Sequence, residues 1–68
     1  MNLSQLKPYT KDLTMLIVED DEFLRSSTAA MFRRLFKLVE EAVDGQEGLE
    51  MYQKDPHRYD VIFTDINM

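Results

Sequence analysis

The sequence predicts an α/β fold, β-α-β-α-β around a parallel sheet, on three observations. Residues 13–18 (LTMLIV) and 60–64 (DVIFT) form short apolar runs without polar alternation, the pattern of strands buried on both faces. Between them the apolar period lengthens twice to that of a helix, with a weaker strand candidate at residues 38–42 (LVEEA). Strands separated by helices pair in parallel through right-handed crossovers, because a hairpin connection is too short to hold a helix.

Residues 1–12 are polar, carry Pro8 and show no sustained period, so they read as a leader outside the main fold, with Leu3 and Leu6 able to form one docked turn. After the first strand come four acids, Glu19, Asp20, Asp21 and Glu22. Residues 23–36 then place Leu24, Thr28, Met31 and Leu35 on one helical face, supplemented by Phe32 and Phe36. Asp21 and Glu22 suit the positive end of that helix, and Arg33, Arg34 and Lys37 its negative end, where they read as solvated charges. Asp44-Gly45 marks a turn, and Asp44 with Glu47 three residues on forms a box-like cap for a helix over residues 46–54. Leu49 and Tyr52 are its expected core residues, and Asp55-Pro56 its stop. His57, the single histidine, lies in a polar loop and reads as solvated rather than as a ligand.

At 68 residues the chain holds one small domain with a marginal core. Its 44% hydrophobic and 31% charged residues exclude outright disorder. The net charge of −5, with Arg33-Arg34 as the one basic pair, argues against nucleic-acid binding and against a basic membrane-surface helix. Cysteine is absent, which removes disulfides, thiolate nucleophiles and zinc-thiolate sites and is compatible with a cytoplasmic location. No apolar run is long enough to span a bilayer, and no signal-peptide core precedes the first strand, so no export is expected.

Both strong strands end in acids: Glu19 and Asp20 after the first, Asp65 after the third. Ligands of open parallel sheets bind beyond the carboxyl ends of the strands, so neighbouring strands would gather these three side chains. Two carboxylates about 4 Å apart repel by about 4 kcal/mol at an effective dielectric of about 20, and a divalent cation relieves this. An all-oxygen donor set without histidine or cysteine points to Mg²⁺ or Mn²⁺, ions that serve phosphate chemistry.

Three segments, residues 16–25 (LIVEDDEFLR), 42–50 (AVDGQEGLE) and 59–68 (YDVIFTDINM), closely resemble the receiver domain of two-component response regulators. The resemblance covers residues 13–68, expected to be a partial receiver domain following the leader at 1–12. It implies a flavodoxin-like fold, of which this chain carries the N-terminal half. It also implies that Asp65 is the phosphoacceptor. Mg²⁺ would be held by Asp20, Asp65 and the backbone carbonyl of Asn67, with Glu19 acting through water. Asp65 would take a phosphoryl group from a sensor histidine kinase or a small phosphodonor. That makes the chain a phosphorylated switch rather than a turnover enzyme, the intact family phosphorylating itself with Mg²⁺. A haloacid-dehalogenase-type phosphatase also places an Asp nucleophile after a buried strand, but needs a second Asp where Asn67 stands.

The resemblance stops short of the family pattern. A receiver has five strands and five helices, and no residue here takes the roles of its hydroxyl residue after the fourth strand, its lysine after the fifth or its aromatic switch. Impaired phosphotransfer is therefore expected, because an acyl phosphate brings roughly −1.5 to −2 of charge that the lysine would help neutralise. The third strand would also present a raw apolar edge. The alternative expectation is a non-catalytic half-domain that forms a homo-oligomer, by dimerisation or swapping, through that edge.

Overall fold

The computed structural model describes residues 3–64. A 3₁₀ turn at Leu3–Leu6 runs into a short helix α1 (Lys7–Thr10), then β1 (Thr14–Val18), α2 (Glu22–Arg33), β2 (Leu38–Ala42), α3 (Gly45–Lys54) and β3 (Val61–Thr64). The three strands are parallel in the order β2-β1-β3. The chain steps to one side of β1 for β2 and returns across it for β3. Right-handed crossovers then put α2 and α3 on opposite faces of the sheet.

β1 lies centrally and is the most deeply buried element: Met15, Leu16 and Ile17 are all inaccessible or nearly so. Met15 and Ile17 face α2, where they form the core with Ala29 and Val39, flanked by Phe32, Phe36 and Val61. Phe32 meets Phe36 edge-on and Phe63 at a tilt, with centroids 5.8 and 5.5 Å apart, distances at which aromatic pairs attract. Leu16 and Val18 face α3, whose backbone comes close at Gly48.

The helix ends follow the charges and caps in the sequence. Asp21 caps α2 by accepting from the Leu24 amide at 3.0 Å, so it serves the helix rather than a ligand. Asp44 accepts from the Glu47 amide at 2.8 Å while Glu47 reaches back to the Val43 amide at 3.0 Å, a reciprocal cap for α3. Asp55 ends α3, just ahead of Pro56.

Four sequence expectations need correction. α2 ends at Arg33 rather than at residue 36, where the Leu35 and Phe36 amides both turn back to the Phe32 carbonyl. Its sheet-facing seam is Ala29 and Phe32, not Leu24 and Met31, which are exposed; the small Ala29 lets the helix approach β1. Leu49 and Tyr52 are also largely exposed, because Gly48 makes the closest approach of α3 to the sheet. β3 is not buried on both faces: Ile62 and Phe63 are 48% and 40% exposed. Both main helices lie mainly over β1 and β2, so β3 at the edge is only partly covered, by Phe32 of α2 against Phe63.

Residues 7–10 are helical, and the Thr10 hydroxyl donates to the Leu35 carbonyl at 2.7 Å, tying this segment to the turn after α2. Arg33, expected to be solvated, donates to the Val39 carbonyl and pairs with Glu41. Among the described residues no helix is long and apolar enough to cross a membrane.

Candidate functional site

The carboxyl edge of the sheet is set by its register. Val18, the last residue of β1, pairs with Ala42 of β2 and with Thr64 of β3, so all three strands end level. The Glu19 amide donates to the Ala42 carbonyl at 3.1 Å and extends the β1–β2 ladder one residue beyond Val18.

The four acids that follow β1 separate into different tasks. Asp21 caps α2 and Glu22 lies in its first turn, where the helix dipole favours negative charge. Glu19 is half-buried, and its Oε2 accepts from the Asp21 amide at 3.1 Å, curling the side chain over its own turn. Asp20 is exposed, and its carboxylate has no hydrogen-bond or ion-pair partner among the described residues. Glu19 and Asp20 thus present oxygen donors, with no sulfur or imidazole beside them, a chemistry that suits a hard divalent cation.

Asp65 and Asn67 lie outside the described residues, and Asp65 follows Thr64 directly in sequence. Among the described residues no three acidic or imidazole side chains converge to hold a metal ion.

Two side-chain groups, the first near this edge and the second toward the opposite end of the sheet, were not foreseen in the sequence. Arg25 donates from Nη1 to the Glu19 carbonyl at 3.0 Å and faces Glu41 from Nε at 3.3 Å, its side chain only 13% exposed. Arg33 holds the other oxygen of Glu41 at 2.9 Å. The available signal was spacing: Arg25 stands one helical turn after the Asp21 cap, and helical side chains lean toward the N-terminus, over the acidic turn.

The second group sits on the α3 face, where Glu40 of β2 accepts from the Tyr59 hydroxyl at 2.6 Å and from Arg58 Nε at 2.7 Å. The Arg58 contact holds the Glu40 carboxyl below the usual carboxylate range, and the same pairing raises Arg58. Burial and the bond to Glu40 push the Tyr59 phenol up to about 12. These three residues border a cleft of about 440 Å³ with Met51, Lys54 and Asp55, and fasten the α3–β3 loop to the outer edge of β2.

Comparison with known proteins gives the ancestry. Over 61 residues, 90% of this chain, it is 38% identical to a gliding motility regulatory protein of Myxococcus xanthus, covering 8% of that protein. Over 55 residues, 79% of this chain, it is 36% identical to the chemotaxis protein CheY of Halobacterium salinarum, covering 43% of it. The chain therefore spans less than half the length of either relative. No solved structure matches it at a comparable level. The response regulator receiver domain model matches residues 15–68, from the first residue of β1's buried core onward, and the strand order β2-β1-β3 is the one a flavodoxin-like receiver begins with. This chain belongs to the response regulator receiver domain family.

Proposed function

We propose that the chain acts in two-component signalling as a cytoplasmic phosphoacceptor module, taking a phosphoryl group on Asp65 with Mg²⁺ held by Glu19, Asp20, Asp65 and the Asn67 carbonyl. The observation that carries this reading is the parallel pairing of Val18 with Thr64, which ends β1 and β3 side by side just before Glu19-Asp20 and Asp65 in sequence. The exposed Asp20 carboxylate supports it, since it has no partner among the described residues and its oxygens are open to a cation.

An Asp65 carboxylate oxygen attacks the phosphorus of a phosphohistidine on a sensor kinase, or of a small phosphodonor. The new O–P bond makes an acyl phosphate, the donor's bond to phosphorus breaks, and the donor leaves with the electron pair. Glu19 and Asp20 supply fixed negative charge that positions the cation site. Mg²⁺, when held by these residues, would supply positive charge against the phosphoryl oxygens. The chain provides position and electrostatics rather than proton transfer, so it is a switch and not a turnover enzyme.

A second reading, self-association through β3, is favoured by the exposure of Ile62 and Phe63 on an edge strand. One experiment addresses both. Mg²⁺ is titrated into the 68-residue chain and into Asp65→Asn, with amide NMR shifts and light-scattering mass read on the same samples. Shifts at Glu19 and Asp20 that are lost in the variant are expected, while Ala29 and Val39 stay still. Identical shifts in both proteins, or none in either, would overturn the phosphoacceptor site. A folded monomer at micromolar concentration would remove the second reading.

A further inference from the structure

We propose that Arg25 is a positioning residue for the Mg²⁺ site, holding the Glu19 carbonyl so that Asp20 is presented in a fixed orientation. This rests on the phosphoacceptor reading of the same edge. Both backbone groups of Glu19 are pinned: its amide by the Ala42 carbonyl at 3.1 Å and its carbonyl by Arg25 Nη1 at 3.0 Å. Because the peptide between Glu19 and Asp20 is planar, fixing that carbonyl fixes the plane from which Asp20 departs. Asp20 has no other restraint on its side chain among the described residues.

The guanidinium is itself anchored. Arg25 Nε faces Glu41 at 3.3 Å, and Glu41 is held on β2 opposite Ile17 and by Arg33 at 2.9 Å. Arg25 is thus braced between Glu41 and the acidic turn. Arg33 provides an internal control: it shares the same carboxylate and holds the Val39 carbonyl, yet none of its bonds reaches Glu19 or Asp20.

Electrostatics and geometry predict opposite signs here. A guanidinium beside a cation site repels the cation, so if charge alone mattered, Arg25→Ala would tighten Mg²⁺ binding. If Arg25 orients the ligand turn, the same change weakens binding, as loss of groups that orient metal ligands does. Arg25→Lys separates the two further, because an ammonium keeps the charge but cannot bridge a carbonyl and a carboxylate with a rigid fork.

The test is the Mg²⁺ affinity of the 68-residue chain and of Arg25→Ala, Arg25→Lys and Arg33→Ala, by NMR titration. Amide exchange of Glu19 and Asp21 is read on the metal-free samples. Both Arg25 variants are expected to weaken binding about tenfold and to speed exchange at Glu19 and Asp21. Arg33→Ala should stay within about twofold of the parent, since it leaves the Glu19 carbonyl bond intact. Binding in Arg25→Ala as tight as in the parent or tighter would overturn this proposal alone, as would an equal loss in Arg33→Ala. A parent chain indifferent to Mg²⁺ would overturn the phosphoacceptor reading and this proposal with it.

Discussion

Ile17→Ala is expected to leave most of the chain unfolded in dilute buffer, with the urea midpoint followed by far-UV circular dichroism collapsing toward zero. Ile17 is fully inaccessible, sits on the central strand between Glu41 and Phe63, and packs in the cluster of Met15, Ala29 and Val39. Cutting a buried isoleucine to alanine costs about 2–5 kcal/mol, in lost transfer energy and in the cavity left behind. A single core in a domain of this size supplies about 3–5 kcal/mol, so the change removes most of it. Ile62→Ala is the matched control: it makes the same chemical change on the neighbouring strand, but Ile62 is 48% exposed. Its cost should stay below about 1 kcal/mol. Equal midpoint shifts in the two variants would mean that the α2-side core does not hold the sheet together.

Gly48→Leu is expected to detach α3 from the sheet. A Cβ at Gly48 would stand 2.8 Å from Val18 Cγ2, 3.4 Å from its Cγ1 and 3.7 Å from the Ala42 Cβ. Val18 is β-branched, which stiffens its rotamer, and its backbone is paired on both sides, to Ala42 and Thr64. Neither the side chain nor the strand can give way, so the helix must lift. Leucine is a better helix former than glycine, by somewhat less than the about 0.8–1 kcal/mol that separates glycine from alanine, so any loss comes from packing and not from the helix itself. Overpacking of about 1–3 kcal/mol or more outweighs that gain. Gly45→Ala, where a Cβ would meet nothing within 4 Å, should be neutral or slightly stabilising. Gly48→Leu that melts with the parent would show that α3 does not need its close approach to Val18.

The elements whose cause is local were legible in the sequence. Asp21 and Asp44 cap the helices they precede, and the apolar run at β1 became the buried centre of the sheet. β2 read as a weak strand because Glu40 and Glu41 interrupt it. In the fold they point to opposite faces, and each is met by cations from distant positions, Glu40 by Arg58 and Glu41 by Arg25 and Arg33. Such pairings cross 8, 16 or 18 residues and leave no periodic trace. The burial of β3 misled because an apolar run does not say how far a helix will cover it, and the cover here is partial, with Ile62 and Phe63 still exposed. At the candidate site, Glu19 and Asp20 stand at the strand end as their position after the apolar run implied, whereas Asp65 and Asn67 lie outside the described residues. Arg25 escaped because one of its partners is the Glu19 backbone carbonyl, which has no identity in a sequence, and the other, Glu41, lies on a different element.

The central place of β1 also dictates an order of events in folding. β1 and β2 are joined through one helix, while contact with β3 must wait for a loop about twice as long, Thr14 meeting Asp60 across 46 residues. Closing longer loops costs more entropy, so the β1-α2-β2 unit forms first and β3 docks last. β3 therefore adds to the finished domain rather than to its nucleus. Val61→Ala, which trims the packing of β3 against the core, should then speed unfolding while leaving the folding rate unchanged, which stopped-flow chevrons would register as movement of the unfolding limb alone. A response confined to the folding limb would place β3 in the nucleus instead.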